Sequence, residues 1–160
     1  MILRPRETRD DKGFTLIELM VVVLIIGVLL AIAIPTFLGA RERAEDRSAQ
    51  SSLRNALSAA QVIYTDNSTY TAGTPALDQA AMQGAEPSLT YGALTTTVSS
   101  GNKNISFLAT ATTWSGSVLS KSGKCYSMKI TSAGAMTFGK PLATACTGAT
   151  ANTASTLTKW

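Results

Sequence analysis

From Leu19 to Ala40 the chain runs through 22 consecutive residues without a charge, and this stretch limits the fold more than any other feature. As a helix rising about 1.5 Å per residue it would span about 33 Å, enough to cross a hydrocarbon core of about 30 Å. Leu19-Met20-Val21-Val22-Val23-Leu24-Ile25-Ile26 is apolar on every side, so it has no amphipathic face to dock on a protein core. A membrane segment is the natural reading. Burying such a helix in a water-soluble fold would need more surrounding protein than 160 residues supply.

Three arrangements satisfy that run. One is a signal anchor that tethers an extracytoplasmic domain. A second is a cleaved secretory signal, with Ala31-Ile32-Ala33 as a small-x-small site releasing a chain that starts at Ile34. Against it, the apolar stretch exceeds the usual core of about 7–15 residues, and the leader holds three acids, Glu7, Asp10 and Asp11. The third rests on Glu18. A carboxylate beside so long an uncharged run costs up to about 2.5–3.5 kcal/mol at a helix centre in lipid, and less near an end. Such a group calls for a partner. A cut after Gly13 would create an α-amino group on Phe14, four residues before Glu18, and that amine, from this or a neighbouring chain, would serve.

The segment Lys12-Gly13-Phe14-Thr15-Leu16-Ile17-Glu18-Leu19-Met20-Val21-Val22, continued by the apolar run to Ala33-Ile34-Pro35, resembles the N-terminus of type IV pilins, in particular major pilins of the type IVa kind. The resemblance covers residues 12 to about 40. It implies a prepilin whose polar leader, residues 1–13, stays in the cytoplasm until a membrane aspartyl prepilin peptidase cuts between Gly13 and Phe14 and N-methylates Phe14. It also implies that Glu18 pairs with a neighbour's N-terminus during assembly. Pro35 removes the helical donor for the carbonyl of Ala31, so a bend is expected over Gly27 and Pro35. In related filaments the helix loosens between equivalent positions, which implies that Gly27 to Pro35 becomes extended on assembly.

Past Ala40 the chain becomes polar without a turn signal. Arg41, Glu42, Arg43, Glu45, Asp46 and Arg47 form a mixed-charge collar, read as a solvated helix face. Ala49, Leu53, Ala56, Leu57, Ala60, Ile63 and Tyr64 then recur as one apolar stripe. One long helix from about Thr15 to Thr65 follows, hydrophobic over 14–40 and amphipathic over 41–66, with a globular head over 67–160. In the head a short helix is expected at Ala76–Met82. Strands are expected at Leu94–Val98, Ile105–Thr113, Cys125–Thr131 and Met136–Phe138, with Tyr126, Met128 and Ile130 on one face and Ser127 and Lys129 on the other. The fold class is α+β: a long N-terminal helix packed on a small antiparallel sheet of three to four strands. The Thr/Ala-rich tail from Ala143 is expected to be loose after Cys146.

Cys125 and Cys146 are the two cysteines. In an extracytoplasmic domain two cysteines most simply form one disulfide, with two free buried thiols as the alternative. Many type IV pilins have a disulfide-bounded C-terminal loop, and this pair resembles it in position.

Composition excludes much chemistry. Histidine is absent, so no side chain has an ordinary pKa near neutrality and no Ser-His-Asp triad exists. Asp78 and Glu86 are the only acids beyond the long helix, too few for a side-chain calcium cage, and two cysteines without histidine make no structural zinc site. No cofactor, no metal and no catalytic residue is expected. Asn67-Ser68-Thr69 and Asn104-Ile105-Ser106 match glycosylation sequons and are assigned no role. Lys103, Lys121, Lys124, Lys129, Lys140 and Lys159 make the head basic, which suits solubility or attraction of DNA.

The expected function is structural: a subunit that polymerises through its N-terminal helix into a surface type IV pilus serving adhesion, twitching motility or DNA uptake. The resemblance implies as partners further copies of the chain, prepilin peptidase, an inner-membrane assembly platform with its ATPases, and membrane lipid before assembly. The precursor would lie in the cytoplasmic membrane and the mature subunit outside the cell. The alternative is a pseudopilin of a type II secretion or competence system, which shares the N-terminal motif. A monomeric tethered binding domain would leave Glu18 unexplained.

Overall fold

The computed structural model describes residues 13–92, 97–140 and 143–160, apart from the side chains of Ala76 and Leu77. The chain divides into two compact units that meet between Gly39 and Ala40. One helix, α1 (Leu16–Asn67, 52 residues), contributes to both and is helical without interruption through Gly27 and Pro35. It begins one residue after the expected Thr15 and ends two beyond Thr65. Next to Pro35, the Thr36 hydroxyl donates to the carbonyls of Ala33 (2.9 Å) and Ile32 (3.2 Å). In the first unit every described residue from 13 to 38 is exposed. Among the described residues nothing covers the large apolar side chains of this stretch, whereas a helix apolar on every side is ordinarily buried.

In the second unit α1 buries Ala49, Ser52, Leu53, Ala56, Leu57, Ala59 and Ala60, and Ile63 and Tyr64 pack at the margin of the same core. The steps of three and four that marked the stripe in the sequence are the steps of this buried face. After α2 (Pro75–Ala85) come β1 (Thr90–Gly92), β2 (Asn104–Ala109), β3 (Thr113–Leu119), β4 (Cys125–Thr131) and β5 (Met136–Gly139). They form one five-stranded sheet in sequence order, with β1 parallel to β2 and the rest antiparallel.

The sheet has one strand more than expected. Two observed strands lie outside the expected ranges: the three-residue β1, whose parallel pairing needs no hairpin and so leaves no turn signal, and the central β3, in which Ser115, Gly116 and Ser117 break the run of large β-formers. In the expected strand at 94–98, residues 94–96 lie outside the described residues, and Thr97 and Val98 are irregular. Residues 110–112, expected to continue β2, make its turn into β3, closed by Thr110 N–H donating to Thr113 O at 2.8 Å.

The two faces of the sheet differ in side-chain size. Register aligns Ile105 with Val118 and Tyr126, Phe107 with Gly116, Met128 and Phe138, and Trp114 with Ile130. This face shares one buried core with the α1 stripe. Gly116 has a specific reason to be glycine: a Cβ there would lie 2.4 Å from the Trp114 ring, which covers it. The opposite face aligns Ser106, Ser117, Ser127 and Gly139, beside Ser115 and Lys129.

That opposite face is not the solvent face its polarity suggests. Ser106, Ser115, Ser117 and Ser127 are buried beneath a third helix, α3 (Gly148–Ala154), in the tail expected to be loose. Every residue of α3 is Gly, Ala, Thr or Asn, so its backbone lies close to the strands. The serine hydroxyls satisfy that backbone. Ser115 donates to Gly148 O and Ser117 to Thr147 O, both at 2.8 Å, and Ser106 Oγ accepts from Gly148 N–H at 3.0 Å. A Thr147/Thr150 capping box closes the N-terminus of α3. Beyond it, Leu157 exchanges two backbone hydrogen bonds of 2.8 Å with Phe138, and the Trp160 ring meets Tyr126 and Phe138. The last eighteen residues therefore strap the sheet from its serine face round the β5 edge to its apolar face.

Candidate functional site

Gly13 and Phe14 precede α1 and are exposed, Phe14 by 85% of its surface. Thr15 and Glu18 form a reciprocal cap. Glu18 Oε2 accepts from the Thr15 backbone N–H at 3.0 Å and from the Thr15 hydroxyl at 2.8 Å, while Glu18 N–H donates to Thr15 Oγ1 at 3.3 Å. The carboxylate thus holds the first turn of its own helix, where the positive end of the helix dipole also favours it. Thr15-x-x-Glu18 is the sequence signature of such a capping box, a second role for Glu18 beside the pairing that the pilin resemblance implies. Gly27 and Pro35 lie within α1, and a Cβ added at Gly27 would meet open space.

In the second unit Cys125, the first residue of β4, and Cys146, just ahead of α3, form a disulfide with Cα atoms 5.7 Å apart. The Cys146 carbonyl also accepts from Ser99 N–H at 2.9 Å. The disulfide thus ties the start of the strap to the first residue of β4, an interior strand of the sheet.

One member of the charged collar departs from its expected solvent position. Asp46 is buried, and its carboxylate accepts from Lys124 Nζ (2.7 Å), Ser120 Oγ (2.8 Å) and Ser122 Oγ. Glu45 beside it accepts from Asn102 Nδ2. Burial pushes the Asp46 carboxyl up, but the hydrogen bonds from Lys124, Ser122 and Ser120 and the Lys124 charge outweigh it and hold it at about 2. Because the folded value lies below the ordinary 3.8, this stability is fully present above about pH 4 and is lost as pH falls through 2. Wild-type protein should lose thermal stability between about pH 4 and pH 2, and Asp46→Asn should flatten that slope while costing about 1 kcal/mol at neutral pH. Melting curves across this range, read by circular dichroism, check both; equal slopes for the two proteins would remove the clamp.

A family model for the prokaryotic N-terminal methylation motif matches residues 8–34. The chain is 37% identical over 83 residues to the type IV wide pilus major component PilA4 of Thermus thermophilus, covering 52% of this chain and 63% of that protein. It is 42% identical to the type IV major pilin protein PilA of Myxococcus xanthus, over 38% of this chain and 27% of that one. It is also 38% identical to the type II secretion system core protein G of Escherichia coli, over 41% of this chain and 45% of that one. The chain thus spans less than two thirds of the length of each of these relatives. No solved structure matches it. The chain carries the prepilin methylation motif, and its matched part is similar to type IV pilins and to the secretion core protein alike.

Proposed function

We propose that the chain is the precursor of a structural subunit that polymerises through α1 into a type IV pilus. The observation that carries this reading is the sequence Gly13-Phe14-Thr15-Leu16-Ile17-Glu18 at the head of a helix whose apolar residues are exposed on every side from 14 to 38. Residues 1–13 are the leader removed by prepilin peptidase, which methylates the new N-terminus at Phe14. Residues 14–40 lie in the cytoplasmic membrane before assembly and in the filament core afterwards, where neighbouring copies supply the cover that one chain lacks. Residues 41–66 continue the helix into the head, and residues 67–160 face outward at the cell surface, stapled by Cys125–Cys146. An inner-membrane platform and its ATPases supply the work, and the subunit is not an enzyme. Helix loosening between Gly27 and Pro35 belongs to the assembled state.

Mass spectrometry and N-terminal sequencing of the protein from its native cells test this. The expected mature chain starts with N-methylated Phe14; one that starts at Met1 or at Ile34 would end the filament reading. A short pseudopilus of a secretion system is the second reading, supported by the similarity to core protein G. Long surface filaments that disappear on deletion favour the pilus. A secretion defect without such filaments favours the pseudopilus.

A further inference from the structure

Acids and lysines are segregated along this chain, while Arg41, Arg43, Arg47 and Arg54 lie among the acids. Of residues 14–160, all seven acids occur at or before Glu86 and all six lysines at or after Lys103. Among the described residues one ion pair forms, Lys124–Asp46. The other charged side chains among the described residues form no ion pair within a single copy. Three of the free cations converge. Arg54 on α1, Lys140 after β5 and Lys159 in the strap line one open pocket, together with Tyr126, Phe138 and Trp160.

Arg54 is held there by an aromatic ring in place of an acid. Its guanidinium carbon lies 5.2 Å from the centre of the Trp160 ring, a cation–π distance. Trp160 is itself fixed by edge contacts with Tyr126 and Phe138 at 5.7 and 4.9 Å, and by its indole N–H donating to Gly139 O at 3.2 Å. The result is a pocket with three cations, a rigid aromatic wall and no Asp or Glu side chain in its lining. Like charges gathered in this way repel one another, and an incoming anion relieves that repulsion.

We propose that the pocket receives a carboxylate of α1 from a second copy of this chain, Glu42 or Asp66. Both are exposed and lack a hydrogen-bond or ion-pair partner among the described residues. Each stands twelve residues from Arg54, one before and one after. At 1.5 Å per residue that is about 18 Å along the helix, beyond the reach of a side chain in the same copy. A neighbour with a parallel α1, displaced by about that distance along the axis, brings one of these acids to the pocket. Each copy then offers an acid to one neighbour and a pocket to another, a head-to-tail contact that propagates as an open helix. This inference rests on the filament reading and adds to it a recognition contact between heads.

The test uses filaments from native cells. A carbodiimide, which joins carboxylates to lysines without a spacer, should give covalent dimers in which a peptide with Glu42 or Asp66 is linked to one with Lys140 or Lys159. Lys140→Glu with Lys159→Glu should lower filament yield at least tenfold, with cleavage after Gly13 and the melting temperature of the head unchanged. Adding Glu42→Lys and Asp66→Lys should restore the yield. Dimers without these links, or full yield from the charge-reversed variant, overturn the proposal. So does a variant that assembles normally but no longer binds double-stranded DNA, since the pocket would then serve a polyanion. Wild-type cells without filaments and with uncut chain overturn this inference and the filament reading together. Normal wild-type filaments without the links overturn this inference alone.

Discussion

Gly148→Ala should destabilise the head by about 3 kcal/mol or more, at the upper end of overpacking effects in close-packed interiors. A Cβ at this position would sit 2.1 Å from the Phe107 carbonyl carbon and 2.4 Å from Leu108 N. These are backbone atoms of β2, so no side chain can rotate out of the way. Relief requires α3 to lift off the sheet. Lifting it would break the hydrogen bonds of Gly148 with Ser106 and Ser115 and that of Thr147 with Ser117, all beneath the helix. Denaturant unfolding of the head in its oxidised form measures the loss, and Ala149→Ser, at the next residue of α3, serves as the control. Stability within about 0.5 kcal/mol of wild type would mean that α3 does not rest on the serine face.

Glu18→Gln should abolish filament formation while leaving the start of α1 intact. Glutamine can still accept from Thr15 and so keeps the capping box, in which Glu and Gln are interchangeable. It cannot neutralise a neighbouring α-ammonium group. The substitution therefore separates the two roles of this side chain: the cap observed in the uncut chain, and the charge pairing proposed for assembly. The readouts are shed filament protein, expected to fall at least a hundredfold, and the fraction of chains cut after Gly13, expected to stay at the wild-type level. Thr15→Val should do the reverse, weakening the cap by about 1 kcal/mol while leaving the charge in place. Wild-type filament yield from Glu18→Gln would assign Glu18 to capping alone.

Residues whose role depends on period or on an unusual chemical type were the readable ones. Ala49, Leu53, Ala56, Leu57 and Ala60 announced the buried face of α1 because a 3.6-residue repeat has few other causes. Tyr126, Met128 and Ile130 did the same for β4. Ser127 lies on the opposite face as expected, but the burial of that face left no mark, because a serine facing water and one bonded beneath a helix look alike in a one-dimensional pattern. The tail helix escaped for a related reason: Gly148-Ala149-Thr150-Ala151-Asn152-Thr153-Ala154 has no large apolar residue, since its closeness to the sheet excludes one. Its one local signal was the pair Thr147 and Thr150, a weak form of the capping box. Asp46 was hidden among the charges of its collar, because its partners Ser120, Ser122 and Lys124 come from a loop more than seventy residues away. Long-range polar pairing of this kind leaves no local trace.

The Asp46 clamp also decides how a pull on the helix would spread through the head. Asp46 is the first buried residue of α1, and its cationic partner Lys124 immediately precedes Cys125. Tension arriving along α1 therefore meets β4 one residue from a covalent crosslink, and passes from there both into the antiparallel ladders and, through Cys146, into the strap. β4 is hydrogen-bonded on both sides, by β3 and β5, so separating it from its neighbours would mean breaking two ladders at once.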